Sequence, residues 1–151
     1  MTPTIAAERP DSADAMQLIA ELEDALAPLY PPQSRHGYSV DKLLRGRVAF
    51  FVARHDGVPA GCGGVQIYED YGELKRMYVR PQFRRLGLGR QILSRLEEHA
   101  LNQGIALLRL ETGIHQREAI ALYEAVGFRR IAAFGDYWND PVSAFYEKRL
   151  S

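Results

Sequence analysis

The sequence predicts a single α/β domain of the α+β type, in which a mixed, mostly antiparallel sheet of about six to seven strands has helices on both faces. Three observations lead to this prediction. Strand-like segments joined by short turns fill residues 47–79, apolar positions at helical spacing follow from residue 88, and no repeat or long linker divides the 151 residues. A chain of this length can bury a core without disulfides or a metal.

The first third of the chain predicts one short strand followed by helices. Residues 4–8 are strand-like, and Ser12 is placed to start a helix whose apolar positions are 16, 19, 22 and 26. Pro31 ends that helix. Residues 33–38 are interpreted as a loop, and residues 40–44 as a short second helix.

The middle of the chain predicts hairpins. Residues 47–55 and 60–68 have strand composition, and Asp56-Gly57 between them is a strong hairpin signal. A turn at residues 70–72 then leads into a third strand over residues 73–79.

After Pro81 the period of the apolar residues becomes helical. A helix is predicted from Leu88 to a cap at Gly104, then a strand over 105–111 and a helix over 119–126. Residues 128–134 and 143–148 are predicted as two last strands across a loop. The order of these elements predicts one domain over residues 1–151.

Composition and charge exclude several classes of protein. The formal net charge is zero, so no overall charge favours nucleic acid or membrane, and the four histidines lack metal-ligand spacing. Cys62 is the single cysteine, which excludes an intramolecular disulfide and fits a reducing compartment. We therefore expect a cytoplasmic protein without a metal, a membrane segment or a nucleic-acid partner.

The most informative segment is a phosphate loop at residues 84–90, between a predicted strand and a predicted helix. Gly87 and Gly89 allow a tight turn and a close approach of the backbone to a ligand. The unpaired N–H groups at the start of the following helix bind anions, and the flanking arginines add charge-assisted hydrogen bonds. Residues 75–95 contain seven basic residues and no acidic residue, which suits a small anion such as a pyrophosphate.

Two motifs resemble those of the GNAT acetyltransferases. The phosphate loop resembles the Q/R-x-x-G-x-G/A signature with which that family holds the pyrophosphate of acetyl-CoA, as Arg84-x-x-Gly87-x-Gly89. A second family signature is matched by Ala119-Ile120-x-Leu122-Tyr123-x-x-x-Gly127-Phe128. The resemblance covers residues 50–150 and implies an N-acetyltransferase that uses acetyl-CoA on an amine, with strand-edge homodimers common among relatives. Gln116 departs from the family, which often has a cofactor-contacting asparagine there.

The resemblance also implies acceptor-side elements mainly in residues 1–45, an acetyl-CoA-binding core mainly in 46–130 and C-terminal strands in 128–150. It further implies which residues bind the cofactor and carry the chemistry. Tyr123 is the candidate general acid for the departing thiolate, and Glu73 is the candidate general base for the amine, directly or through water. The expected cofactor-binding residues are Met77, Tyr78, Val79, Arg84, Arg85, Leu86, Gly87, Leu88, Gly89, Arg90 and Tyr123. A solvent-facing Glu73 and a purely structural Tyr123 remain the alternatives.

The acceptor is expected to bind near the loop that follows the first helix. Candidate acceptor-binding residues are Tyr30, Ser34, Arg35, His36 and Glu111, with Tyr137 and Trp138 as further possibilities. Arg35 could hold a carboxylate through two hydrogen bonds, which would suit an amino-acid-like acceptor. The expected partner is a small-molecule or peptide amine. A non-catalytic module that binds acetyl-CoA or CoA remains the alternative to an enzyme, and Cys62 is interpreted as a buried strand residue.

Overall fold

The computed structural model describes residues 3–35 and 38–150 of the chain. Its strands are β1 (Thr4–Ala7), β2 (Ala49–His55), β3 (Val58–Ile67), β4 (Gly72–Val79), β5 (Leu107–Gly113), β6 (Arg129–Ile131) and β7 (Ser143–Arg149). Its helices are α1 (Ala13–Leu26), α2 (Val40–Arg45), α3 (Leu88–Asn102) and α4 (Arg117–Ala125), with single 3₁₀ turns at Pro32–Ser34 and Pro81–Phe83.

The strands form one mixed sheet of seven in the order β1-β2-β3-β4-β5-β7-β6. Every neighbouring pair is antiparallel except β4 and β5, which are parallel. The predicted fold class is therefore confirmed.

Local signals explain where most elements begin and end. The Ser12 hydroxyl accepts a 3.1 Å hydrogen bond from the Ala15 N–H and so caps α1. Asp56 and Gly57 both have positive φ (52° and 78°), as a type I′ hairpin turn requires. Gly104 (φ 78°) ends α3, as predicted.

The bounds of the predicted strands lie within two residues of the observed ones except at the end of the strand predicted over 128–134, and local contacts explain two of the differences. The strand expected over residues 105–111 begins at Leu107, because the Ile105 N–H bonds the Ala100 carbonyl and still belongs to the end of α3. The strand expected over residues 128–134 is limited to Arg129–Ile131. Phe134 leaves the sheet and packs edge-on against Tyr71 and Phe145.

Each face of the sheet carries its own core. One core joins α3 and α4 to the sheet, and its fully buried side chains include Ile92, Leu96 and Leu108. The other joins α1 and α2 to the opposite face and includes Leu18 and Leu43. Because both faces are covered, the places left for ligands lie along strand ends and between helices.

Candidate active site

The sheet opens between β4 and β5. These strands are paired at Gly72 with Leu108 and at Glu73 with Arg109. Beyond these two positions the described residues of β4 and β5 are not paired with each other. The second half of β4 therefore presents backbone groups that are not used by β5. A cleft of about 640 Å³ lies beside it, and Met77, Tyr78 and Val79 line one wall.

The predicted phosphate loop forms one end of this cleft. Gly87 has φ 80° and is the N-cap of α3, so the loop makes a left-handed turn directly before the helix. The first N–H groups of α3 and its positive dipole end therefore lie at the cleft, where an anion is favoured. Arg84, Arg85 and Arg90 all contribute to the lining.

Three positions of the loop differ in part from expectation. A β-carbon on Gly89 would lie 2.7 Å from Cδ2 of Leu122, so this glycine also allows α3 to approach α4. The side chain of Leu86 is 52% exposed, and this residue does not contribute to the cleft lining. Leu88 is on the lining but is 2% exposed and belongs to the core.

The basic segment over residues 75–95 is divided between the cleft and the rest of the fold. Arg76 pairs with Glu23 and Arg80 pairs with Glu21, so both arginines tie β4 and its end to α1. The Arg80 guanidinium holds the pKa of Glu21 below its usual value. The expectation that this whole cluster serves an anion was therefore too broad, because only part of it faces the cleft.

A second, smaller cavity of about 120 Å³ lies on the α1 side of β4, and we call it the inner cavity. Four of the predicted acceptor-binding residues line it: Tyr30, Ser34, Arg35 and Glu111. The fifth, His36, lies outside the described residues. Glu111 accepts a 2.8 Å hydrogen bond from the Ser143 hydroxyl, whereas Arg35 has no ion-pair partner within residues 3–35 and 38–150.

The cleft and the inner cavity meet at a small group of shared residues. The side chains that line both are Leu22, Met77, Gln116, Ala119 and Tyr123. A ligand in the cleft and a ligand in the inner cavity would therefore approach each other at this junction.

Tyr123 is a buried side chain at the junction that carries a hydroxyl group. It is 5% exposed, and in the described part of the chain its hydroxyl has no hydrogen-bond partner. Its ring packs edge-on against Phe128 at a centroid distance of 5.6 Å, which fixes its orientation. Burial first, and then the charge of Glu111, raises the pKa of Tyr123, so the phenol keeps its proton at neutral pH.

Glu73 is buried and does not itself line the inner cavity. It is 3% exposed, and its Oε2 accepts hydrogen bonds from Lys75 Nζ (2.8 Å) and from the Tyr137 hydroxyl (2.5 Å). Lys75 and Tyr137 both line the cavity. The solvent-facing alternative for Glu73 is wrong, and its two partners contribute to the cavity wall where Glu73 does not.

Cys62 is structural, as predicted. It is fully buried, its Sγ lies 3.4 Å from the Arg76 carbonyl oxygen, and burial raises the pKa of its thiol to about 12. Arg76 has φ 57° and lies at a β-bulge, where β4 has one residue more than β3 between two ladder pairs.

The partnership of Lys75 with Glu73 was missed, although the sequence carries its signal. Residues two apart in a strand project from the same face, so this pair of opposite charges could have been predicted. Gln116 was set aside because of its residue type, yet it lies at the junction, where its Oε1 accepts a 3.3 Å hydrogen bond from the Tyr30 hydroxyl.

Two kinds of feature are not found in the described ranges. No helix there is long and apolar enough to cross a membrane. Residues 3–35 and 38–150 also contain no group of three or more His, Cys, Asp or Glu side chains arranged to hold a metal ion.

Comparison with known proteins places this geometry among acetyltransferases. The family model described as "Acetyltransferase (GNAT) family" matches residues 19–128. An IAA acetyltransferase from Azospirillum brasilense is 43% identical over 149 residues, and the alignment covers 97% of each chain.

Two solved structures have the same fold. A putative acyl-CoA N-acyltransferase from Klebsiella pneumoniae is 37% identical with a TM-score of 0.82, and the match covers 99% of both chains. The PaiA N-acetyltransferase from Thermoplasma acidophilum, solved in complex with coenzyme A, is 22% identical with a TM-score of 0.77 and also covers 99% of both chains. At that identity the second comparison shows the shared fold alone.

Proposed function

Because this chain belongs to the GNAT acetyltransferase family and is therefore an acetyltransferase, we propose that it transfers the acetyl group of acetyl-CoA directly to an amine held in the inner cavity. The observation that carries the proposal is the junction at Tyr123. A buried phenol without a hydrogen-bond partner in the described chain faces two cavities that meet beside it. Both reactants can then be bound together, and attack is favoured by proximity without an acetyl-enzyme.

The cleft fits acetyl-CoA in size and in chemistry. Its volume of about 640 Å³ is typical of a cofactor site. Arg84, Arg85, Arg90 and the N–H groups at the start of α3 would hold the pyrophosphate. The backbone of Met77 and Val79, left unpaired by β5, would pair with the amide groups of the pantetheine arm as an added strand does. The cofactor supplies the thioester that the amine attacks.

We assign Tyr123 the role of general acid. Its hydroxyl would donate a hydrogen bond to the departing sulfur and stabilise the negative charge that forms there. A thiol has a pKa of about 8.5 and a phenol about 10, so full proton transfer to the thiolate is uphill. Since burial raises the pKa of Tyr123 further, we expect hydrogen-bond donation to be the larger part of its contribution.

We assign Glu73 the role of general base. An alkyl amine with a pKa of about 10.4 is protonated at neutral pH and must lose a proton before it attacks. Glu73 is the buried carboxylate on β4, the strand whose residues line both the cleft and the inner cavity. Its partners Lys75 and Tyr137 line the inner cavity and would link Glu73 to the acceptor.

The inner cavity favours an amine that also carries an anionic group. Arg35 is a cation on its wall without an ion-pair partner in the described chain, and Ser34 beside it is a hydrogen-bonding side chain. A guanidinium binds a carboxylate through two parallel hydrogen bonds. A small amino acid or a peptide with a nearby carboxylate is therefore the acceptor class that we propose, and residues 1–45 would supply much of its site.

The test is a thiol-release assay with a defined set of amines. The protein is incubated with acetyl-CoA and, separately, L-glutamate, L-methionine, spermidine or a short peptide with a free N-terminus, and free CoA thiol is measured. Release that depends on the amine, with N-acetylated product found by mass spectrometry, is expected. Tight binding of acetyl-CoA with no release for any amine would instead support a non-catalytic binding module.

A further inference from the structure

The carboxylate of Glu73 is linked to the inner cavity by two hydrogen-bonded partners on the cavity wall. Lys75 Nζ donates to Glu73 Oε2 over 2.8 Å, and the Tyr137 hydroxyl donates to the same oxygen over 2.5 Å. Both partners line the cavity, whereas Glu73 does not. A general base must be within hydrogen-bond reach of the proton that it removes, directly or through one relay. These two side chains are therefore the candidates for a relay between an amine in this cavity and Glu73.

Lys75 cannot be the relay in its resting form. An ammonium group has three N–H donors and no acceptor, so it cannot take a further proton. Its donors are directed at Glu73 and at the Tyr137 hydroxyl (3.4 Å), and its Nζ lies 3.7 Å from the centroid of the Tyr38 ring. This cation is held in place and balances the charge of Glu73.

Tyr137 has the chemistry that a relay needs. Its oxygen can accept a proton while its own hydroxyl proton moves along the existing 2.5 Å hydrogen bond. Burial first, and then the charge of Glu73, raises the pKa of Tyr137, so the phenol holds a proton to pass on at neutral pH. Among the groups that face it are Glu73 and Lys75 on β4, Glu111 on β5 and Tyr38.

The ring of Tyr137 is fixed by its neighbours. Its centroid lies 5.3 Å from that of Phe134 and 5.4 Å from that of Phe145. These aromatic contacts do not involve the hydroxyl, so a phenylalanine at position 137 would keep them and lose the relay alone.

We propose that Tyr137 is a catalytic residue that takes the proton of the acceptor amine and passes its own hydroxyl proton to Glu73. An N–H bond of the ammonium and the original O–H bond of Tyr137 break, and O–H bonds form at Tyr137 and at Glu73. Tyr137 stays neutral, the amine becomes a neutral nucleophile, and Glu73 is protonated. This inference rests on the proposed function, since it requires an amine in the inner cavity and Glu73 as the base.

The test is a double-mutant cycle of Tyr137→Phe and Glu73→Gln, measured with the amine of the set above that releases thiol fastest. Removal of a general base or its relay typically lowers the rate by about 10²-fold or more. If the two groups act in series, each single variant and the double variant lose a similar factor. A Tyr137→Phe enzyme that keeps more than half of the rate, or a double variant whose loss is the product of the single losses, would overturn the proposal.

Two controls separate the relay from a change in folding. Tyr71→Phe removes the hydroxyl of a nearby tyrosine that lines neither cavity, and it is expected to keep the wild-type rate. Glu73→Gln leaves a buried ammonium without its counter-charge, so Glu73→Gln/Lys75→Met, which keeps the cluster neutral, is measured beside it. Thermal unfolding of every variant gives the stability of the fold.

A readout without turnover tests the hydrogen bond itself. In protein labelled with ¹³C at the tyrosine ζ carbon, the Tyr137 signal is identified by its absence from Tyr137→Phe. It is expected to shift in Glu73→Gln and to stay in place in Glu98→Gln, which changes an exposed residue of α3. An unshifted signal in Glu73→Gln would contradict the coupling. If the intact enzyme releases no thiol with any amine, the proposed function has failed and this coupling is judged separately by the NMR signal.

Discussion

The hydroxyl of Tyr30 lies against the backbone of Gly113, in the space that a β-carbon at position 113 would occupy. It accepts a 3.0 Å hydrogen bond from the His115 N–H and donates a 3.3 Å hydrogen bond to Gln116 Oε1. Tyr30 lines the inner cavity, while His115 and Gln116 line the cleft. One side chain therefore fixes the segment after α1 to the turn between β5 and α4, where the two ligand spaces meet.

This contact predicts that Gly113→Ala displaces the Tyr30 ring. We expect a loss of about 1–3 kcal/mol in the free energy of unfolding, as for other overpacked sites, and a higher KM for the amine. Urea unfolding and steady-state kinetics measure the two effects. In a Tyr30→Leu background, which lacks the clashing hydroxyl, Gly113→Ala should lower the free energy of unfolding by less than it does in the intact protein. Losses that simply add would show that the two residues do not compete for the same space.

The cleft assignment predicts unequal roles for two arginines of α3. Arg90 lines the cleft, whereas Arg95 pairs with Glu98 on the outside of the same helix. A charge-assisted hydrogen bond contributes about 1.5–3 kcal/mol, so Arg90→Ala should weaken CoA binding by roughly tenfold or more. Isothermal titration with CoA measures the Kd, and Arg95→Ala serves as the matched control. Equal losses in both variants would show that only the general charge of the helix matters.

The sequence was sufficient to predict the phosphate loop because all of its parts are local. A glycine with φ 80°, the start of a helix and three arginines lie within residues 84–90. The hairpin at Asp56-Gly57 and the cap at Ser12 were predictable for the same reason.

Contacts between distant segments could not be predicted from the sequence. Tyr137 reaches Glu73 across 64 positions, and Arg80 reaches Glu21 across 59. No period or turn signal links such pairs, because only the packing of α1 and of the loop before β7 onto β4 brings them together. For the same reason, the sequence could not show which basic residues of the segment line the cleft and which form ion pairs.

Because the side chains of several tyrosines are buried, we expect the free energy of unfolding to fall at high pH. Burial raises the pKa of these tyrosines in the folded chain: Tyr30, Tyr68, Tyr71, Tyr78, Tyr123, Tyr137 and Tyr146. The unfolded chain then releases protons at a lower pH than the folded chain. The stabilisation is therefore complete below the unfolded pKa of about 10 and is lost as the pH rises above it. Urea midpoints measured from pH ~7 to pH ~10.5 should fall, and midpoints that do not change would contradict the burial of these hydroxyls.

The thiol of Cys62 should be unreactive in the folded protein. With a pKa of about 12, roughly one thiol in ten thousand is ionised at pH 8, and the group is also fully buried. Iodoacetamide should therefore label it only after unfolding in urea, as followed by intact-protein mass spectrometry. Labelling of the native protein at the rate of free cysteine would contradict this and would reopen Cys62 as a nucleophile.

The most direct test of acetyl transfer at the junction is a single-turnover measurement on Tyr123→Phe. Enzyme in excess over acetyl-CoA is mixed with the fastest amine of the set, and the acetylated product is followed in time. We predict a rate about 10²-fold below that of the intact enzyme, with a Kd for CoA that is unchanged within about twofold, because the ring that packs on Phe128 is kept. Equal single-turnover rates in the two enzymes would contradict the account, since transfer would then not depend on Tyr123, whose phenol faces both cavities at their junction.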